Sequence, residues 1–306
     1  MNEHVTPVEG VHDGRSEPVE ATAEPTLAER YARTRERVAA AARRSGRRAD
    51  DILLVAVTKY AEPEDIRELI RMGHRDFGEN RVQQLAQRAG VIQEWAERQR
   101  ILPETLRAHA ASFGGGTGDD VIGLPTTLNA DRPIRWHMIG HLQRNKAKKV
   151  AEYCRLVHSV DSLRLAEELQ AIANKRDQVM DVLVQVNCSG EESKYGCAVP
   201  AALPLCEQIA TMINVRVRGL MTMAPYSENP EDARPVFARC RELFQEIRDE
   251  GIGEGRFNIL SMGMSGDFEV AIEEGANLVR VGTAIFGEKP VASDEDEETE
   301  AEGDEQ

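Results

Sequence analysis

The chain has 306 residues and a formal net charge of −15, a length that suits one large domain or two small ones. The charge sits at the ends. Residues 1–25 contribute −5 and residues 291–306 contribute −9, which leaves −1 for 26–290. A near-neutral body has no basic footprint for nucleic acid, and no apolar run is long enough to span a bilayer. The five cysteines, Cys154, Cys188, Cys197, Cys206 and Cys240, form no C-x-x-C pair and suit no zinc site.

An odd number of cysteines behind a polar, acidic N-terminus predicts reduced thiols and a cytoplasmic protein. Residues 1–25 and 291–306 are expected to be solvated, disordered acidic tails. Between them, Thr26-Leu27-Ala28-Glu29 has the form of a capping box. The helix it starts puts Leu27, Tyr31 and Val38 near one face and ends before Gly46. Residues 52–60, Ile52-Leu53-Leu54-Val55-Ala56-Val57-Thr58-Lys59-Tyr60, open as a continuous aliphatic run, the pattern of a strand covered on both faces. The run stops on Lys59. A lysine on the core side of such a strand belongs at the carboxyl end, where the sheet opens into a pocket. Desolvation there lowers its pKa and frees a nucleophilic amine. Lys59 also reads as a surface lysine snorkelling past a strand end.

The alternation then repeats. Pro63 suits a first helical position, Ile66, Leu69 and Ile70 form an apolar stripe, and Gly73 suits the C-terminal cap. Strands are predicted over 74–78, 134–140, 156–160, 182–186, 217–223, 257–261 and 278–281, each followed by a helix. Asp161 or Ser162 is placed to cap the helix bearing Leu165, Leu169 and Ile172. Phe237, Cys240, Phe244 and Ile247 mark the buried face of another helix, which ends before Gly251. Eight strand–helix units behind one extra helix predict a single (β/α)8 TIM-type barrel over 26–290, with its site at the carboxyl ends of the strands. An open doubly wound sheet is the alternative, but no Gly-x-Gly-x-x-Gly follows the first strand. Residues 96–132 break the rhythm and read as an insertion. Their glycine run, Gly114 to Gly118, is not a phosphate loop, because no Gly-Lys-Ser/Thr follows it.

Two late segments carry chemistry. Ser261-Met262-Gly263-Met264-Ser265-Gly266 follows strand seven, and Arg280-Val281-Gly282-Thr283 ends strand eight. Barrels commonly hold a phosphate between these two loops. Small residues let backbone N–H groups approach, and Ser265 and Thr283 add hydroxyls, although either segment alone also suits an ordinary helix cap. In a closed barrel Lys59 is next to strand eight. A lysine beside a phosphate cradle is the constellation that pyridoxal 5'-phosphate (PLP) needs for a Schiff base. Arg280 then sits between them, facing either the cofactor ring or a salt-bridge partner. Arginine cannot supply a proton to the pyridine nitrogen, so it would leave a weak electron sink. Asn80 can bond the ring hydroxyl, brace Lys59, or with Glu79 cap the next helix. His137 and His141 read as packing and loop residues, Lys194 as an anion guide or a solvated lysine, and Met221 and Met223 as core.

At these residues the chain resembles the pyridoxal phosphate homeostasis protein family, relatives of the N-terminal barrel of alanine racemase. The matching stretches are Ala56-Val57-Thr58-Lys59, Phe77-Gly78-Glu79-Asn80, Trp136-His137-Met138-Ile139-Gly140-His141-Leu142-Gln143-Arg144-Asn145-Lys146, His158-Ser159-Val160-Asp161-Ser162, Gly219-Leu220-Met221-Thr222-Met223, Leu260-Ser261-Met262-Gly263-Met264-Ser265 and Val279-Arg280-Val281-Gly282-Thr283-Ala284-Ile285-Phe286-Gly287. The resemblance implies that Lys59 carries PLP as a Schiff base. It also implies phosphate contacts from Ser265, Gly282 and Thr283, and Arg280 near the pyridine nitrogen.

It further implies a cytoplasmic PLP carrier or regulator without established catalytic turnover. Such a carrier would be a monomer or weak dimer, with apo PLP-dependent enzymes as candidate recipients. Alanine racemase draws its second base, a tyrosine, from a C-terminal β-domain, and here an acidic tail is expected to follow the barrel. A low-activity PLP-dependent amino-acid racemase is the alternative, and a barrel enzyme acting on a sugar phosphate through the same lysine is a third reading. The long N-terminal tail, the 96–132 insertion and the acidic end depart from the family pattern.

Overall fold

Eight parallel strands close into the predicted barrel. They are β1 Leu53–Val57, β2 Asp76–Glu79, β3 Arg135–Met138, β4 Cys154–Val160, β5 Met180–Asn187, β6 Val215–Met221, β7 Ile259–Ser261 and β8 Leu278–Val281. The computed structural model describes residues 1, 24–112, 133–191 and 195–288. The glycine run, Lys194 and most of both predicted tails lie outside them. The order round the sheet is β4-β3-β2-β1-β8-β7-β6-β5, and β4 pairs with β5 to complete the ring. A two-residue strand, Cys197–Ala198, is added beside the end of β5. Around the sheet run α1 Leu27–Arg44, α2 Pro63–Arg71, α3 Val82–Ser112, α4 Ala147–Tyr153, α5 Leu163–Lys175, α6 Val199–Ala210, α7 Arg234–Asp249, α8 Phe268–Glu273 and α9 Thr283–Phe286.

Alternation along each strand divides the core in two. On β1, Leu54 and Ala56 turn outward to the helices, where they join the large strand–helix core. Leu53 and Val55 turn inward, and Val55, Leu156, Leu183, Met221 and Leu278 form a separate buried cluster within the barrel. The same parity carries on past the strand to Val57 and Lys59. The register sets Val55 against Arg280 on β8, so the inward row of β1 meets the inward row of β8.

The extra helix closes the ring from outside. Its capping box forms as predicted, with Thr26 and Glu29 bonding reciprocally. Leu27, Tyr31 and Val38 are buried. Arg30 Nε donates to Ile285 O (2.8 Å), and Arg37 and Arg44 pair with Glu269 (3.3 Å) and Glu273 (2.7 Å). α1 thus backs α8 and α9, the two short helices that follow the predicted phosphate loops.

The differences from expectation are local. α3 runs to Ser112, so the first part of the predicted insertion is helical. Ser162 is the N-cap residue of α5, but its hydroxyl makes no cap bond, and Asp161 instead lies 3.7 Å from His141 Nδ1.

Beneath β2, His74 is buried between Tyr31 and Phe77. The Tyr31 hydroxyl is 3.1 Å from Nδ1, and Nε2 is 2.7 Å from Asp76 O. Burial pushes its pKa down to about 4, although the bond to Asp76 opposes this. The unfolded chain therefore takes up this proton before the folded one. Stability is expected to be flat above about pH 6.5 and to fall between there and pH 4, by about 3 kcal/mol from this group. Urea midpoints measured across that interval check it. A midpoint independent of pH from 7 to about 4 would contradict it.

Candidate functional site

The β1 run stops because its next residues turn at the barrel mouth. Thr58 N donates to Gly78 O (3.0 Å), and Ala61 N donates back to Thr58 O (2.9 Å). Lys59 therefore stands two residues beyond the strand. Its backbone is pinned from α3, where Arg88 Nη2 donates to Lys59 O (3.2 Å) and Ala61 O (3.3 Å). Arg88 Nη1 in turn pairs with Glu79 Oε1 (2.7 Å), which also accepts from the Thr58 hydroxyl. Glu79 is fully buried, its Oε2 has no partner among the described residues, and burial raises its pKa against the pull of Thr58 and Arg88. This brace was not read from the sequence, where Glu79 was a candidate helix cap. The signal was available: a glutamate ending a strand covered on both faces needs a buried cation.

Lys59 is half-buried, so it is not the deeply desolvated lysine expected. Its Nζ lies 4.6 Å from the centre of the Tyr60 ring, and among the described residues it makes no hydrogen bond or ion pair. The amine faces a cavity of about 370 Å³, within the range of small-ligand and cofactor sites. All six residues singled out from the sequence line that one cavity: Lys59, Asn80, Ser265, Arg280, Gly282 and Thr283.

The far wall is made of the two late loops. Ser265 Oγ accepts from Gly282 N (3.2 Å) and Ala284 N (3.3 Å), which ties the loop after β7 to the start of α9. Asp267 Oδ1 accepts from Met264 N (2.6 Å) and holds the same loop in shape. Gly282 lies so close to β1 that an added Cβ would come within 3.3 Å of Val57 O. A side chain at 282 would therefore have to push β1 back by a few tenths of an ångström. Gly266 also lines the cavity, and a Cβ there would meet nothing within 4 Å. The result is a concave patch of backbone and hydroxyl groups with open space in front of it, suited to a compact anion.

Arg280 forms the floor between this patch and Lys59. It is 3 % exposed. Nη1 donates to Ser261 Oγ (2.7 Å) and Nη2 to Thr222 O (2.9 Å). Among the described residues it forms no ion pair, so the salt-bridge alternative for Arg280 does not hold. Burial pulls its pKa down to about 10, with Asp267 opposing, and it stays charged near neutrality.

Asn80 is exposed at the rim. Its carbonyl packs so tightly on Gly140 that a Cβ at 140 would approach to 2.1 Å, which fixes its backbone. Met221 is core, as expected, whereas Met223 lines the cavity. His141 stacks on Tyr195, ring centres 4.4 Å apart, away from the six. The loop after β6, with Tyr226, Ser227 and Asn229, also borders the cavity and was missed. Its polar run with prolines at 225 and 230 was the available signal for a mouth loop.

Fold and site together define a class: a (β/α)8 barrel that sets a free lysine amine across from a small-residue anion cradle, with an arginine between. A family model described as "Alanine racemase, N-terminal domain" matches residues 35–290. The Pyridoxal phosphate homeostasis protein of Aquifex aeolicus (strain VF5) is 38% identical over 265 residues, covering 85% of this chain and 97% of the relative. PipY of Synechococcus elongatus PCC7942 has been solved without PLP (30% identity, TM-score 0.65) and with PLP bound (29%, 0.63). Each match covers 86% of this chain and 100% of PipY. The chain belongs to the pyridoxal phosphate homeostasis protein family, within the alanine racemase N-terminal domain family. Among the described residues, no helix is long and apolar enough to cross a membrane.

Proposed function

We propose that this protein binds PLP at the barrel mouth, holds it reversibly as a Schiff base on Lys59, and serves intracellular PLP homeostasis rather than catalytic turnover. The observation that carries the reading is the shared cavity, with the Lys59 amine on one side and the Ser265, Gly282 and Thr283 cradle on the other. PLP supplies an aldehyde that condenses with an amine, with loss of water, and a phosphate that anchors the ring. The residues fit both ends. Among the described residues Lys59 Nζ has no hydrogen-bonded partner to give up. Gly266 leaves room before the cradle, and Ser265 can turn its hydroxyl proton toward an anion while its oxygen still accepts from the backbone. Arg280 at the floor presents a charged donor to the ring nitrogen and gives it no proton. Asn80 at the rim is placed to bond the ring hydroxyl.

The PLP-bound structure of PipY and the name borne by the Aquifex aeolicus relative support this reading. A racemase reading asks for a second base across the substrate. Tyr226 is the tyrosine among the described lining residues. It stands 91 % exposed, with no hydrogen-bond partner among the described residues. Handing PLP to apo enzymes by exchange of the imine onto another amine is the transfer this site permits.

Titrating the purified protein with PLP and with pyridoxal, which lacks the phosphate, tests the reading. PLP is expected to bind tightly with a new absorption band, and pyridoxal at least about tenfold more weakly, since it leaves the cradle unfilled. Equal affinity for both would remove the cradle from the account. Deuterium washed into the α position of alanine by the loaded protein would favour the racemase.

A further inference from the structure

A line of buried polar side chains crosses the barrel interior, where apolar residues would pack at less expense. Asp76, His137, His158, Ser261 and Arg280 come from β2, β3, β4, β7 and β8, and each is at most 5 % exposed. Arg280 Nη1 lies 2.7 Å from Ser261 Oγ, and Ser261 Oγ lies 3.0 Å from His158 Nδ1. His158 Nε2 lies 3.0 Å from His137 Nδ1, and His137 Nε2 lies 3.2 Å from Asp76 Oδ1. Asp76 also accepts from Arg135 Nε at 2.6 Å.

With both imidazoles neutral, the two ends decide the direction of every bond. Arg280 has only protons to donate. Asp76 is an acceptor. Burial raises its pKa, but the bonds from His137 and Arg135 outweigh that and hold it at about 2. The Arg280 proton therefore goes to Ser261, the Ser261 proton to His158 Nδ1, the His158 Nε2 proton to His137 Nδ1, and the His137 Nε2 proton to Asp76. Each link is satisfied with both imidazoles neutral and protonated on Nε2. Burial holds the His158 pKa far below its usual value. In the reverse order His137 would have no proton to offer Asp76, and Ser261 would meet a donor on both sides.

We propose that Ser261, His158, His137 and Asp76 are positioning residues that form a one-way hydrogen-bond relay, anchored on Asp76, and that this relay orients the Arg280 guanidinium toward the cavity. The inference rests on the proposed PLP site for its consequence but not for its geometry. Among the described residues Arg280 has no carboxylate bonded to it, and its hydrogen bonds are to Ser261 Oγ and Thr222 O. Ser261 Oγ accepts from Arg280, and giving its own proton to His158 fixes the direction in which its lone pairs point.

Two measurements test this, one of them without PLP. Long-range nitrogen–proton NMR of the unloaded wild-type protein should find His137 and His158 both neutral and protonated on Nε2. A proton on Nδ1 of either would overturn the relay, whatever happens with PLP. In the loaded protein, His158→Leu and Ser261→Ala should shift the absorption maximum of bound PLP and weaken its retention by about tenfold, as expected for one buried bond lost. His158→Gln, which keeps a donor toward His137 and an acceptor toward Ser261, should restore the wild-type maximum. A merely structural role would lower the melting temperature and leave the maximum unmoved. Folded His158→Leu and Ser261→Ala proteins with the wild-type maximum and retention would overturn the proposal. Absence of a PLP band in the wild type would defeat the binding reading and leave the NMR result standing.

Discussion

Replacing Lys59 by alanine is expected to abolish covalent retention of PLP and leave the barrel folded. The Lys59 side chain is half-buried, and its Nζ lies 4.6 Å from the centre of the Tyr60 ring. A contact of that kind is worth about 0.5–1 kcal/mol at an exposed site. Its backbone bonds to Arg88 do not involve the side chain. The melting temperature should therefore move by no more than a few degrees, while the absorption band of bound PLP disappears. The cradle and Arg280 survive the substitution, so weak, dialysable PLP binding should remain. A Lys59→Ala protein that keeps PLP through gel filtration as well as wild type would mean that another amine holds it.

The second large effect concerns the wall behind the site. Phe77 lies at the middle of β2, fully buried, with Ala56 of β1 and Trp136 of β3 as register partners. Its ring meets His74 edge-on at 5.0 Å and Trp136 at 5.5 Å. Removing such a ring costs about 3–5 kcal/mol, because its close-packed neighbours fill the void only in part. A domain of this kind has only about 5–15 kcal/mol to lose. Phe77→Ala should therefore shift the urea midpoint down sharply, and PLP retention should drop with it, since Glu79 ends the same strand and Asn80 follows it. An unchanged midpoint would show that neighbouring side chains close over the void.

The parts of this molecule legible in the sequence are those set by local pattern. The alternation of strand and helix patterns placed all eight strands close to where they form, and the continuous aliphatic run at 52–57 is the plainest of them, because a strand covered on both faces favours apolar residues at every position. Lys59 drew notice because it ends such a run, and Gly282-Thr283 because small and hydroxyl residues follow strand eight. Neither observation needs tertiary knowledge beyond the order of strands in a closed barrel.

What escaped depends on register and on partners distant in the chain. Glu79 reads locally as a cap. Only the approach of Arg88 and Thr58 turns it into the brace beneath Lys59. His137 and His158 are 21 positions apart and Ser261 a further 103. Each looks like a lone polar residue in an apolar strand until the closed sheet brings their inward faces together. The salt-bridge alternative for Arg280 rested on the rule that a buried cation is paired. The structure answers that rule with a chain of hydrogen-bonding side chains leading to Asp76. Ser162 shows the limit of capping signals, since the residue is at the cap position and its hydroxyl is not used.

The most direct test of the central claim is borohydride reduction of the PLP-loaded protein, followed by peptide mapping. A pyridoxyl phosphate adduct is expected on the peptide carrying Lys59 and on no other, in near-stoichiometric yield. An adduct spread over surface lysines, or concentrated on a different one, would contradict the assignment of the site.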